Sequence, residues 1–191
     1  MGENLTIEDL FKLNEKYLND EKFSVDGIDN SNFEDYYFDR CCEFFDADYE
    51  QVKKMVGKCF IDPSGTRLVK ILAVRDDTDN QYWDSCKLWQ KFIYEEVRRN
   101  NKKSPWYFED WLWLQHEDEL KKFQLTPHAE MNIASESMFH IGKDECLYVD
   151  YGCDRNYDKF VEVKPARFKK AREVAIKEFE EEFEEDDEDD E

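Results

Sequence analysis

The sequence predicts an α+β protein in which acidic amphipathic helices come first, an antiparallel sheet follows, and a C-terminal helix runs into an acidic tail. Three observations predict it. Apolar residues recur at helical spacing up to Val56, strand-like alternation begins after Gly57, and a last helical pattern opens at Pro165. The 191 residues suffice for one core, and 16% aromatic residues supply large buried area per side chain although 39% of residues are charged.

Thr6 is placed to cap a first helix, with Ile7, Leu10, Phe11, Tyr17 and Leu18 on its apolar side and Asp9 at its positive start. This helix ends near Asn19, and residues 23–30, with Gly27 among turn-formers, read as a loop. Ser31 or Asn32 caps a second helix whose apolar face is Phe33, Tyr37, Cys41 and Phe44 or Phe45. Its flank presents Glu34, Asp35, Asp39 and Glu43. A third short helix over 48–56 stops at Gly57, in the position that favours a left-handed residue.

Residues 58–61 and 66–74 form a hairpin around Asp62-Pro63-Ser64-Gly65, because Pro at the second and Gly at the fourth position suit a type I turn. Residues 82–94 are aromatic and β-branched enough for a third strand. The basic stretch Arg98 to Lys103 reads as an exposed loop, and the aromatic run from Trp106 to Leu114 fits helix or strand equally. Residues 145–151 and 159–163 alternate like two further strands, and Phe168, Ala171, Ala175 and Phe179 form the apolar face of the last helix. A small antiparallel sheet of this composition is of the kind that curls into an SH3-like barrel. The organisation expected is an acidic helical region over 1–56, an α+β body over 57–177 and a disordered acidic tail over 178–191.

The formal net charge is −21 and is unevenly placed. Residues 1–50 hold 15 Asp/Glu against 4 Lys/Arg, a net of −11, and residues 178–191 hold 12 acidic residues and no basic one. The centre is close to neutral. Such a polyanion is repelled by phosphate and by anionic membranes, which argues against direct nucleic-acid binding and for a basic protein partner. No stretch approaches the roughly 18 apolar residues of a membrane span. Met1 to Asn4 offers neither a basic nor an apolar leader segment, so the six cysteines, including the adjacent pair Cys41 and Cys42, are expected as reduced thiols in a cytoplasm. Met1-Gly2 with Thr6 also matches the loose myristoylation pattern, although Thr6 is explained more simply as a helix cap.

Chemistry-bearing patterns are sparse. His116, His128 and His140 recur every twelve residues, which is no metal-ligand spacing, and Cys146 and Cys153 lack the paired spacing of a zinc site. His116 beside Glu117, Asp118 and Glu119 is the one arrangement that could orient a general base, as in a hydrolase. With 6 glycines and no Gly-rich loop, a nucleotide-cradling fold is disfavoured. No cofactor or metal is expected. Trp106, Trp111 and Trp113 beside the basic stretch could stack on bases, but a core or a protein interface is the commoner fate of such a run. Together with Glu184, Glu185, Asp186 and Asp187 of the tail, which cannot bury area and self-repel, these side chains and the second-helix carboxylates are the candidate partner-binding residues.

The helix ending in Val56-Gly57-Lys58-Cys59-Phe60, the strand pair after Asp62, and the closing Phe160-Val161-Glu162-Val163 strand before Pro165-Ala166-Arg167-Phe168-Lys169-Lys170-Ala171 resemble small accessory proteins of bacteriophages and mobile elements. The resemblance covers about half of the chain. It implies an accessory role in a bacterial host cell and no activity. The function expected is therefore a non-enzymatic inhibitor or accessory factor that binds the basic surface of a nucleic-acid-handling protein, by carboxylates that imitate phosphates. The alternatives are an assembly protein with an aromatic interface and a hydrolase using His116.

Overall fold

The computed structural model describes residues 5–45, 49–75, 91–108, 133–134, 139–150 and 157–188. Helix α1 (Ile7–Asn19) begins as expected, with the Thr6 hydroxyl accepting the Asp9 amide at 3.2 Å. The stretch read as a loop is instead a tight hairpin, β1 (Ser24–Val25) and β2 (Ile28–Asp29). Its two central residues, Asp26 and Gly27, both take positive φ (49° and 86°), which is what an Asp-Gly turn of the primed kind requires. Helix α2 (Phe33–Phe44) starts at Asn32, whose side-chain oxygen accepts the Asp29 amide rather than capping the helix. The short α3 (Tyr49–Lys53) runs through further turns to Gly57, at φ 86°.

Strands β3 (Cys59–Ile61) and β4 (Arg67–Arg75) pair across the expected turn. The Asp62 carboxylate accepts the amides of Thr66 and Arg67, both at 2.7 Å, and the Gly65 amide donates to the Asp62 carbonyl at 3.0 Å. Strand β5 (Lys91–Arg98) runs four residues beyond the expected end at Tyr94, so Arg98 belongs to the sheet and the loop begins at Arg99. Strands β6 (Ile133–Ala134), β7 (Phe139–Ile141), β8 (Leu147–Asp150) and β9 (Tyr157–Val163) complete an antiparallel sheet ordered β6-β5-β4-β3-β9-β8-β7. The fold is α+β, and among the described residues its sheet has seven strands, more than the pattern indicated.

Helix α4 (Pro165–Glu188) closes the chain. Its backbone is helical through Glu188, so the helix carries the first part of the acidic run that begins at Glu178. Glu is a good helix former, and Phe179 anchors the start of the acidic run edge-on against Phe108, with ring centroids 6.4 Å apart.

Three apolar clusters position the rest. One face of the sheet carries Phe60, Val69, Ile71, Tyr94, Phe139, Leu147, Val149 and Phe160, with Val52 and Met55 against them. On the opposite face, α4 packs Phe168, Ala171 and Ala175 onto Cys59, Ile61, Leu68 and Val97. At the β7–β9 end, α1, α2 and the β1–β2 hairpin cover Tyr148 with Ile7, Leu10, Phe23, Phe33, Tyr37, Cys41 and Phe45. The helical region is thus docked on the body by shared aromatic packing, with Phe45 5.4 Å from Tyr148 and Phe11 stacked 5.3 Å from Tyr157.

Candidate interaction surface

The apolar stripes of α1 and α2 turn inward as the spacing dictates: Phe33, Tyr37, Cys41 and Phe45 are each at most 1% exposed. The carboxylates are driven to the opposite side. Glu34, Asp35, Asp39 and Glu43 are all exposed, as are the remaining seven Asp and Glu residues between positions 5 and 45. Few cations answer them. Lys12 lies 3.8 Å from Asp9, Arg40 2.8 Å from Glu43, and Lys159 of β9 3.7 Å from Glu8. Tyr17 donates to Glu34 at 3.1 Å. Hydrogen bonds hold two of these acids below the usual carboxylate range: the Thr6 hydroxyl for Asp9, and the Ser31 hydroxyl and amide for Asp29.

Two carboxylates of the body, Glu95 and Glu96, are treated in the reverse way, whereas Glu145, Asp158, Glu162 and Glu173 are exposed. Glu96 on β5 is 0% exposed and accepts Arg67 Nε at 2.5 Å, Arg67 Nη2 at 3.1 Å and Arg98 Nε at 2.8 Å. Glu95, on the other face of the strand, receives Arg172 from α4. A buried carboxylate survives only when hydrogen-bonded cations replace its water, and each of these has such a cation. Burial and then the Glu96 charge push the Tyr94 phenol upward. Burial would also raise Asp144, but Lys159 Nζ and the Tyr148 hydroxyl, each at 2.8 Å, outweigh it and leave the acid below its ordinary value.

Of the other expected partner-binding residues, Trp106 is half-buried against the α4 cluster, and the Arg99 guanidinium sits 4.3 Å over its ring. The same guanidinium is tied to the Gly65 carbonyl at 2.9 Å. Trp111 and Trp113 lie outside the described residues, as do His116, His128 and Cys153. Glu184, Glu185, Asp186 and Asp187 stand on the last turns of α4, at the end farthest along the chain from Pro165. His140 is buried between Phe45 and Tyr157, at 5.3 and 5.7 Å. Burial, and then the charge of Asp144, push the Cys146 thiol up, so it stays protonated at neutral pH. Among the described residues no three His, Cys, Asp or Glu side chains converge as metal ligands.

The two ion-paired groups, Glu96 with Arg67 and Arg98 on one face and Glu95 with Arg172 on the other, escaped the sequence reading. A signal for them existed: two consecutive glutamates inside an apolar strand must point to opposite faces, so both cannot be solvated by one polar side. No family model, no curated protein and no solved structure matches this chain.

Proposed function

We propose that this chain is a non-enzymatic acidic interaction protein, an accessory factor or inhibitor of the phage type, that binds the basic surface of a nucleic-acid-handling protein through α1 and α2. One observation carries the reading. All eleven carboxylates between positions 5 and 45 face outward, while only four Lys or Arg share that segment. Seven of the eleven stand on α1 and α2, which are themselves pinned to a sheet, and charges held in place in this way engage a basic surface at little entropic cost.

The test is capture from a bacterial lysate on immobilised protein, eluted in steps from about 50 to about 500 mM salt. The Debye length falls from roughly 14 Å to roughly 4 Å over that range, so a partner held by this face elutes early. Reversing Glu34, Asp35, Asp39 and Glu43 to Lys should abolish capture of the same protein. A partner retained equally at both salts and by the reversed variant excludes the reading.

A further inference from the structure

Where α1 meets the end of α2 and the turn between β7 and β8, a cleft of about 310 Å³ opens, lined by Leu5, Thr6, Ile7, Leu10, Tyr36, Arg40, Glu43, Phe44 and Lys143. It is a built feature. Gly142 has no side chain, and any Cβ there would collide with the Phe44 ring, so the glycine is what lets that ring lie against the turn. The Lys143 amide then donates to the Phe44 carbonyl at 2.9 Å and fixes the turn on the helix end. The Phe44 ring in turn packs 5.5 Å from Tyr148, so this wall is continuous with the core.

The sign of the cleft is opposite to that of its surroundings. Among the described residues Arg40 and Lys143 outnumber Glu43, the single carboxylate in the lining, and the N-terminus of α1 adds its positive dipole end, beside the first-turn acids Glu8 and Asp9. Glu43 is engaged by Arg40 at 2.8 Å, and the Arg40 guanidinium lies 5.6 Å over Tyr36. Lys143 is exposed and has no ion-pair partner among the described residues. Apolar walls from Leu5, Ile7, Leu10 and Phe44 face this cation across a space at the lower end of the range that small organic ligands fill.

We propose that the cleft binds a small amphipathic anion, a medium-chain or aryl carboxylate, with its apolar part on Leu5, Ile7 and Phe44 and its carboxylate on Lys143. The proposal does not rest on the protein partner inferred above, although Glu43 borders both the acidic face and the cleft. A neutral alcohol of the same chain would gain the apolar contacts but not the charge-assisted bond, which is the discriminating term.

The experiment titrates the full chain with octanoate, octanol and octylammonium, following backbone amide shifts by NMR. Octanoate should perturb Leu5, Ile7, Leu10 and Lys143 first and bind about tenfold tighter than octanol. Lys143→Glu, at an exposed position that should leave the fold intact, should remove that advantage, and Leu5→Glu should weaken all three compounds. Octylammonium binding as well as octanoate, shifts that centre elsewhere, or a Lys143→Glu variant that still prefers octanoate would each overturn the proposal.

Discussion

Glu96 has no accessible surface, two arginines converge on it, and it stands beside a buried tyrosine. Removing the carboxylate would leave the Arg67 and Arg98 charges facing each other at the edge of an apolar cluster. Glu96→Ala should therefore cost about 3–5 kcal/mol in urea denaturation, whereas Glu34→Ala on the surface should change stability by under about 0.5 kcal/mol. Asp62 tests the same physics by pH. Burial raises its pKa, but the Ser64 hydroxyl and the amides of Arg67 and Thr66 together reverse this and hold it below its ordinary value near 3.8. A carboxyl depressed in the folded state stabilises fully above its unfolded pKa, and the contribution fades as pH falls through the folded one. The stability gap between the native chain and Asp62→Ala should hold from neutral pH to about pH 5 and shrink below about pH 4. A gap that widens in acid would show that the turn does not depend on the ionised form.

Among the elements, those with a strong local signal were legible and those set by distant partners were not. The Thr6 cap, the Phe33–Tyr37–Cys41–Phe45 face, Gly57, and the Pro63–Gly65 turn each rest on a few neighbouring residues, and each stands where the pattern put it. The Asp26-Gly27 hairpin also carried a local signal, but its strands of two residues are too short to show alternation. Gly27→Ala should lose about 1 kcal/mol through the positive φ, and Asp26→Gly should be close to neutral; thermal melts decide. The reach of β5 to Arg98 was not legible, because Glu95 and Glu96 are strand residues only by virtue of arginines 29 and 77 positions away. The acidic face was readable from helical spacing alone, whereas the cleft beside it needs Gly142 and Lys143, remote in sequence from α2. In α4, the anchoring contact is Phe179 rather than the acids beyond it. Deleting residues 182–191 should leave the melting temperature within a degree or two, while Phe179→Ala should lower stability by about 1–2 kcal/mol. Equal losses in the two variants would mean that the acidic end also docks.

For the whole molecule, a net charge of −21 means that folding concentrates like charge, so salt should stabilise the protein rather than weaken it. The melting temperature should rise between about 20 and about 300 mM NaCl as screening relieves the repulsion. Each reversal among Glu34, Asp35, Asp39 and Glu43 replaces a negative by a positive charge, so the fourfold Lys variant should melt at the same temperature or higher at low salt, and with a shallower salt response. A variant that melts several degrees lower would show that these side chains support the fold, and would undermine their use as a partner-facing surface. A final consequence lies in where β9 sits. It lies between β3 and β8, with Cys59 paired to Val163 and Leu147 to Phe160, so the last of the described strands in chain order is the one that joins the two halves of the sheet. Until roughly a hundred residues after β3 have been made, β3 keeps an unpaired edge and Phe60 lacks the neighbour that β9 brings. High contact order of this kind makes folding slow, and it confines the aggregation hazard to the nascent chain, where that edge is open to any passing strand.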